Sequence, residues 1–220
     1  MTHDFDKAYW DRHWRQRPAA SPAAPATTDG DPPNPYLARE TSALTPGTAL
    51  DAGCGGGAEA IWLASHGWHV TAADISAEAL ALAARRAATS RAPERVRWLE
   101  TDLSTWSPQE RFDLVMTNYA HPAMPQLEFY DRIAEWVAPG GTLLIVGHLH
   151  TPSATGHGHG HGHGHHPPAE ATVTSAAITT RMDTTQWQIV TAEEHVRTFP
   201  GHEGHGATRH DVVVRATRRR

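Results

Sequence analysis

The chain has 220 residues, 39% of them hydrophobic and 20% charged, which suits one globular α/β domain. A formal net charge of −5 at pH 7 excludes a global positive field that would gather nucleic acid. A single cysteine, Cys54, excludes an intramolecular disulfide, and no apolar run reaches the ~18 residues that a membrane span needs. The N-terminal residues lack the apolar segment of a signal peptide. We therefore expect a cytoplasmic protein, monomeric or homodimeric, with neither a membrane nor a nucleic acid as its partner.

The first predicted elements are helical. Residues 5–16 predict a short helix, residues 17–35 a loop rich in Pro and Ala, and residues 37–43 a second short helix. The first helix carries one rough aromatic stripe, made of Phe5, Tyr9, Trp10 and Trp14. Such a stripe packs against a sheet, covers a ligand site, or does both.

Short apolar runs then alternate with helical patterns. The predicted strands are residues 48–51, 68–73, 96–99, 112–117 and 142–147. The predicted helices are residues 58–66, 76–89, where Ser76 is the cap, and 127–137, which Pro139-Gly140-Gly141 would end. Strands that alternate with helices imply right-handed crossovers and a doubly wound parallel sheet.

The last part of the chain has a different pattern. A helix is expected near residues 171–182, and residues 187–198 and 208–216 predict an antiparallel hairpin that completes a seven-stranded, mainly parallel sheet. We therefore expect a single domain in four parts. These are an N-terminal helical cap and loop (1–46), a ligand-binding core (47–150), a His/Gly-rich flexible insertion (151–170) and a C-terminal helix and hairpin (171–220).

A glycine cluster follows the first predicted strand. The segment Asp51-Ala52-Gly53-Cys54-Gly55-Gly56-Gly57 joins that strand to a helix, and Asp74 ends the next strand 17 residues after Gly57. A Rossmann-like domain places an acid there to accept hydrogen bonds from ribose hydroxyls. The spacing is D-x-G-x-G-x-G rather than the G-x-G-x-x-G that cradles a pyrophosphate. An acid so close to the turn would repel a pyrophosphate and suits a ligand with an ammonium group, which argues against an NAD-dependent oxidoreductase.

This segment resembles motif I of class I S-adenosylmethionine-dependent methyltransferases. The stretch ALDAGCGGGAEAIWLASHGWHVTAADIS is similar to small bacterial methyltransferases related to the tellurite-resistance and thiopurine methyltransferases. The resemblance covers about residues 5–17 and 34–150 together with the closing hairpin. It implies that the cofactor is S-adenosylmethionine and the product S-adenosylhomocysteine, and it does not identify the methyl acceptor.

The resemblance also implies residue roles. Asp51 would align the turn and meet the amino-acid end of the cofactor, and Asp74 would bind the ribose diol. Asp102 would accept from the adenine amino group, with Ile75 and Leu103 against the ring. The turn itself would let the backbone pass along the cofactor through Gly53, Cys54, Gly55 and Gly57. Family members often carry an acid at the position of Gly56, for which Glu59 offers a nearby substitute.

The acceptor would lie beyond the fourth strand. Asn118 ends this strand and would lie near the transferred methyl, and His121 is the best candidate for a general base because imidazole titrates near neutral pH. The alternative for His121 is a loop histidine that only lines the pocket. His148 and His150, after the fifth strand, are weaker candidates. The acceptor is expected to be a small molecule such as a thiol or a metalloid anion.

A second hypothesis rests on the histidine tract of residues 156–166. Its imidazoles could chelate a divalent metal ion through His157, His159, His161, His163, His165 and His166. The alternative to an enzyme is therefore a metal-binding or metal-responsive protein on a methyltransferase-like fold. A third possibility is that the tract is an insertion without a metal role.

Overall fold

The computed structural model describes residues 5–16, 32–150, 169–199 and 207–220. In this part of the chain the helices are α1 (Lys7–Gln16), α2 (Pro35–Thr41), α3 (Ala58–Ser65), α4 (Ala77–Ala87), α5 (Gln126–Ala134) and α6 (Ser175–Thr179). The strands are β1 (Thr48–Ala52), β2 (His69–Asp74), β3 (Val96–Glu100), β4 (Phe112–Asn118), β5 (Val137–Leu149), β6 (Thr172–Val173), β7 (Trp187–Phe199) and β8 (Ala207–Arg218). Single 3-10 turns occupy Pro93–Arg95 and Ala169–Ala171.

The strands form one sheet in the order β3-β2-β1-β4-β5-β8-β7, with β6 paired to the end of β5. The pairings from β3 to β5 are parallel, and β8 pairs antiparallel with both β5 and β7. This confirms the α/β, mainly parallel architecture with a C-terminal hairpin. The two-residue β6 is an addition to the seven strands expected from the sequence.

The largest differences from the predicted boundaries are at α5, β5 and α6. α5 ends at Ala134 instead of residue 137, because Val137 already pairs with Phe112 and the Trp136 carbonyl accepts from the Phe112 N–H at 2.9 Å. β5 therefore begins before the Pro-Gly-Gly segment, and Gly140 takes φ +82° there. α6 is five residues long, much shorter than the helix expected over 171–182, because β6 takes two of the preceding residues.

The sheet is covered on both faces, which explains the continuous apolar runs of its central strands. One core layer packs α5 and α6 against the sheet through residues such as Phe129, Ile133 and Ile178. The other packs α2, α3 and α4 against the opposite face through residues such as Leu37 and Leu63. No helix in the described ranges is long and apolar enough to cross a bilayer.

Parallel pairing sends the carboxyl ends of β1, β2, β4 and β5 to one edge of the sheet. The antiparallel β8 brings Asp211 to the same edge, where it lies opposite His148 in the β5 register. Ligands of open α/β sheets bind outside the carboxyl ends of the strands. This edge is therefore where the fold places a functional site.

We expect the core to govern stability. Leu144 is completely buried in β5, so Leu144→Ala should lower the free energy of unfolding by about 2–5 kcal/mol. Val196 in β7 is 62% exposed, and Val196→Ala should change it by less than about 0.5 kcal/mol. Urea denaturation of both variants measures the difference, and equal losses would contradict the core packing described above.

Candidate active site

The turn after β1 depends on glycine. Gly53, Gly55 and Gly57 have φ values of +84°, +49° and +77°, a region that side chains with a Cβ rarely adopt. The N–H groups of Gly53 and Cys54 both donate to the Ala73 carbonyl, at 2.8 and 3.0 Å, which ties the turn to β2. A Cβ on Gly53 would also lie 2.3 Å from the Ala120 Cβ. The turn therefore sits directly against the loop that follows β4.

Gly56, between Gly55 and Gly57, lies against the side chain of Arg86. The Arg86 guanidinium of α4 donates to the Gly56 carbonyl at 3.1 Å, and a Cβ on Gly56 would lie 2.5 Å from the Arg86 Nη1. A side chain at position 56 would therefore have to displace the Arg86 guanidinium. Glu59 is close enough to act on Asp51 electrostatically, and its Oε1 accepts from the Asn34 N–H at 2.9 Å.

Asp51 is a buried carboxyl beneath this turn. Its side chain is 1% exposed, it accepts one backbone hydrogen bond from Ala60, and no described residue donates to its Oδ2. Burial raises the pKa of Asp51 well above its ordinary value, and the neighbouring Glu59 and Asp74 carboxylates raise it further. The same surroundings raise the pKa of the buried Cys54 thiol, which disfavours a reactive thiolate.

Asp74 connects the turn to α4. Its Oδ2 accepts from the Gly55 N–H at 2.8 Å, and its Oδ1 accepts from the Ser76 N–H at 2.9 Å. Burial raises the pKa of Asp74, while these hydrogen bonds oppose the rise. Ser76 is the N-cap of α4, since its Oγ accepts from the Ala79 N–H at 3.2 Å. Asp74 therefore holds the glycine turn and does not itself cap the helix.

Asp102 belongs to a separate turn after β3. Its Oδ1 accepts from the Ser104 N–H and the Ser104 hydroxyl, at 2.8 and 2.7 Å. Leu103 is 5% exposed and packs in the core layer that contains α5. The structure thus joins Asp51, the glycines and Asp74 into one unit, whereas Asp102 makes contacts of its own.

The N-terminal helix α1 lies across this edge of the sheet. The Trp14 ring covers the glycine turn, because a Cβ on Gly55 would lie 2.7 Å from its Cζ2. Asp11 accepts from the Ser76 hydroxyl at 2.7 Å, and Lys7 donates to the Ile75 carbonyl at 3.2 Å. At the other end, the Trp10 indole donates to the His121 carbonyl at 3.3 Å. The predicted aromatic stripe therefore spans from the turn to the β4 loop.

Asn118 ends β4 with both polar atoms of its side chain buried and no hydrogen-bond partner among the described residues. Tyr119 follows at φ +53°, the non-glycine residue with a positive φ in the described chain. Strained backbone of this kind costs free energy and is concentrated at functional sites. It turns the chain so that Ala120 meets Gly53.

His121 is 9% exposed at the end of this loop. Its Nδ1 lies 3.1 Å from the Gln126 Oε1, and burial lowers the pKa of His121 below its ordinary value. The His148 ring stacks on it with centroids 5.3 Å apart. Burial, aided by His121, lowers the pKa of His148 to about 4. Both imidazoles are therefore neutral at pH 7.

Tyr119 is held by a buried carboxylate that the sequence did not reveal. Asp211 is fully buried and accepts from the hydroxyls of Tyr119 and Tyr36, at 2.7 and 3.0 Å, and from the Arg197 guanidinium. Arg197 also donates to the Tyr119 hydroxyl at 3.0 Å. Burial, together with Asp211, raises the pKa of Tyr36 to about 12 and that of Tyr119 further. The only available sequence signal was an acid directly before three valines in β8.

The residues at this edge fit a cationic ligand. The groups that act on Asp51 include two further carboxylates and, among the described residues, no cation. An uncompensated buried carboxylate is costly, and a ligand ammonium would offset that cost. At the end of β4, Asn118 offers two buried polar atoms that have no partner among the described residues. No group of three or more metal-binding side chains occurs in the described ranges, and the histidine tract of 156–166 lies outside them.

The sequence of residues 49–141 matches the family model of a methyltransferase domain. A probable thiol methyltransferase of Arabidopsis thaliana is 30% identical over 142 residues, which is 61% of this chain and 59% of that protein. An uncharacterized methyltransferase of Mycobacterium tuberculosis is 42% identical over 106 residues, 47% of this chain and 51% of that protein. The chain thus spans between half and three fifths of the length of these relatives.

The fold is also found among solved structures. The N-methyltransferase NodS of Bradyrhizobium japonicum, crystallised with S-adenosylhomocysteine, superposes with a TM-score of 0.63 over 96% of this chain and 97% of its own, at 18% identity. The matched domain contains the glycine turn, Asp51, Asp74 and the loop after β4, which are the parts that the structure assembles at one edge of the sheet. Residues 49–141 thus resemble a methyltransferase domain in sequence, and the fold resembles that of solved methyltransferase structures.

Proposed function

We propose that this protein transfers a methyl group from S-adenosylmethionine to a small-molecule acceptor. The observation that carries the proposal is the buried, uncompensated Asp51 carboxyl beneath a glycine turn. S-adenosylmethionine supplies a methyl group that is already electrophilic on a sulfonium centre, together with an ammonium group that suits Asp51. The protein then has to align a nucleophile and exclude water.

Different residues would bind different parts of S-adenosylmethionine. Asp51, with Glu59 nearby, would take the ammonium end, and Asp74 has lone pairs left for the ribose hydroxyls after holding Gly55. Asp102, Ile75 and Leu103 would surround the adenine, and Asn118 would lie near the transferred methyl. The backbone of Gly53, Cys54, Gly55 and Gly57 would form the cradle. The helix α1 would cover it, as part of a proposed cap over residues 1–46.

A thiol is the acceptor class we propose first. His121 is neutral and lies in the loop after Asn118, so it can take a proton from an acceptor that must lose one. The name of the Arabidopsis relative supports a thiol. A metalloid anion or another small nucleophile is the next class to test.

We further propose a cytoplasmic monomer or homodimer that needs no nucleic acid or membrane. No observation on the described residues favours the metal-binding alternative.

Cofactor binding should depend on Asp74. We expect Asp74→Asn to weaken the binding of S-adenosylhomocysteine at least tenfold, about 1.4 kcal/mol, in calorimetric titrations with a chelator present. Asp113 provides the matched control, because its carboxylate also accepts from a backbone N–H, that of Thr48 at 2.8 Å, but does so at the start of β4. Asp113→Asn should bind as tightly as the wild type. No binding by the wild type would refute the proposed function.

We expect the buried Asp51 carboxyl to lower the stability of the ligand-free protein. A carboxyl whose pKa is raised on folding binds its proton more tightly in the folded state, so stability falls as pH rises above the ordinary Asp pKa. Asp51→Asn should therefore raise the free energy of unfolding at pH 7, and the gain should fade toward pH 4. The same variant should bind S-adenosylhomocysteine more weakly. Urea denaturation at several pH values tests this, and a variant less stable than the wild type at pH 7 would contradict it.

Turnover should depend on His121. With a thiol acceptor, His121→Gln should lower kcat/KM by about 10²- to 10⁴-fold and leave the affinity for S-adenosylhomocysteine unchanged. Because the pKa of His121 is lowered, the wild-type rate should fall only below the ordinary histidine pKa as the pH decreases. His69→Gln is the control, since His69 is exposed at the start of β2. Wild-type turnover by His121→Gln would show that His121 merely lines the pocket.

A further inference from the structure

The side chain of Gln126 is buried at the first position of α5 and reaches back over the loop after β4. It is 6% exposed, and its Nε2 donates to the Ala120 carbonyl at 3.0 Å. A backbone carbonyl can only accept a hydrogen bond, so this contact fixes which end of the amide is the NH₂ group. The Gln126 Oε1 must then face the His121 Nδ1, at 3.1 Å.

This orientation decides where His121 carries its proton. The amide oxygen can only accept, so the hydrogen bond between Oε1 and Nδ1 requires a proton on Nδ1. In a neutral imidazole the other nitrogen, Nε2, then holds a lone pair. Among the described residues Nε2 has no hydrogen-bond partner. The two hydrogen bonds of the Gln126 side chain, to Ala120 and to His121, therefore leave the His121 Nε2 available as an acceptor.

We infer that Gln126 is a positioning residue that holds His121 as its Nδ1–H tautomer, so that Nε2 is the nitrogen that receives the proton of the methyl acceptor. This inference rests on the proposed function, because it assigns the base. In the step itself the proton leaves the acceptor's X–H bond for Nε2, and the bonding pair stays on X. That pair forms the bond from X to the methyl carbon as the carbon–sulfur bond breaks, and the electrons of the broken bond remain on sulfur as the thioether of S-adenosylhomocysteine. The imidazolium that results still donates from Nδ1 to Gln126.

The surroundings explain why an amide, and not a carboxylate, orients this histidine. The Trp10 indole of α1 contacts the His121 carbonyl, and the ring of Phe5, which precedes α1, lies 5.7 Å from the imidazole. From β5, His148 stacks on His121 and is itself neutral at pH 7. Two charged groups lie beyond His148. Arg209 lowers the pKa of His148, and Asp211 raises it. A carboxylate at position 126 would stabilise the imidazolium and so remove the base from use at neutral pH.

The experiment is nitrogen-15 NMR of histidine-labelled protein, in which the two ring nitrogens of each tautomer have distinct chemical shifts. The spectrum of His121→Gln assigns the His121 signals among the 17 histidines. In the wild type we expect the Nδ1–H tautomer at pH 7. In Gln126→Leu we expect a shift toward Nε2–H, and in Gln126→Glu the Nδ1–H form should persist with a titration moved to higher pH.

Kinetics provide the second readout. Gln126→Leu should lower kcat about tenfold or more, because a base in the wrong tautomer cannot take the proton. Its affinity for S-adenosylhomocysteine and its circular dichroism should match the wild type. Gln126→Glu should move the acid limb of the pH–rate profile upward and recover turnover at high pH. A merely structural role for Gln126 would not move that limb.

Two results would overturn the inference. One is a wild-type His121 found as the Nε2–H tautomer at pH 7. The other is a Gln126→Leu variant that changes tautomer and keeps the wild-type kcat. Failure of the proposed function is seen separately, as the absence of S-adenosylhomocysteine-induced shifts in the same labelled wild-type sample.

Discussion

The Asp51 carboxyl lies fully buried at the end of β1, with one backbone donor from Ala60 and no donor for its Oδ2 among the described residues. Burying a carboxylate is costly unless it is paired, and here Glu59 and Asp74 add negative charge to the same region. The ligand-free protein therefore carries an unfavourable electrostatic arrangement beneath the turn after β1. A cationic ligand beside Asp51 would offset this cost.

The remaining parts of the site are held in place relative to this carboxyl. The glycine turn is bonded to β2 through the Ala73 carbonyl and the Asp74 carboxylate. The loop after β4 packs on Gly53 through Ala120, and the strained Tyr119 that makes this contact possible is anchored by Asp211 from the antiparallel strand β8. The closing hairpin thus contributes to the geometry of the site as well as covering an edge of the sheet.

The fold and the glycine turn could be predicted because their signals are local. Apolar runs, caps and the D-x-G-x-G-x-G spacing lie within short windows, and Ser76 caps α4 as its sequence context indicates. The contact between Gln126 and His121 could not be predicted, because it depends on the course of the loop between them. The role of Asp211 could not be predicted, because it arises only when distant segments meet. Tyr36 and Asp211 are 175 residues apart in the chain. The end of α5 was wrong for the same reason, since pairing of Val137 with Phe112 overrides the local helical pattern. The metal-binding prediction for the histidine tract concerns residues outside the described ranges and stays a prediction.

The central claim is that the buried Asp51 carboxyl binds the positively charged group of the ligand. The most direct test is to measure the protons released when the ligand binds. Calorimetric titrations of S-adenosylhomocysteine in buffers of different ionisation enthalpy give the number of protons released on binding at each pH. Because Asp51 has a raised pKa in the ligand-free protein, binding of the ammonium group should release protons in the wild type at pH values above the ordinary Asp pKa. Asp51→Asn should release fewer. Equal proton release by the two proteins across the pH range would contradict the account.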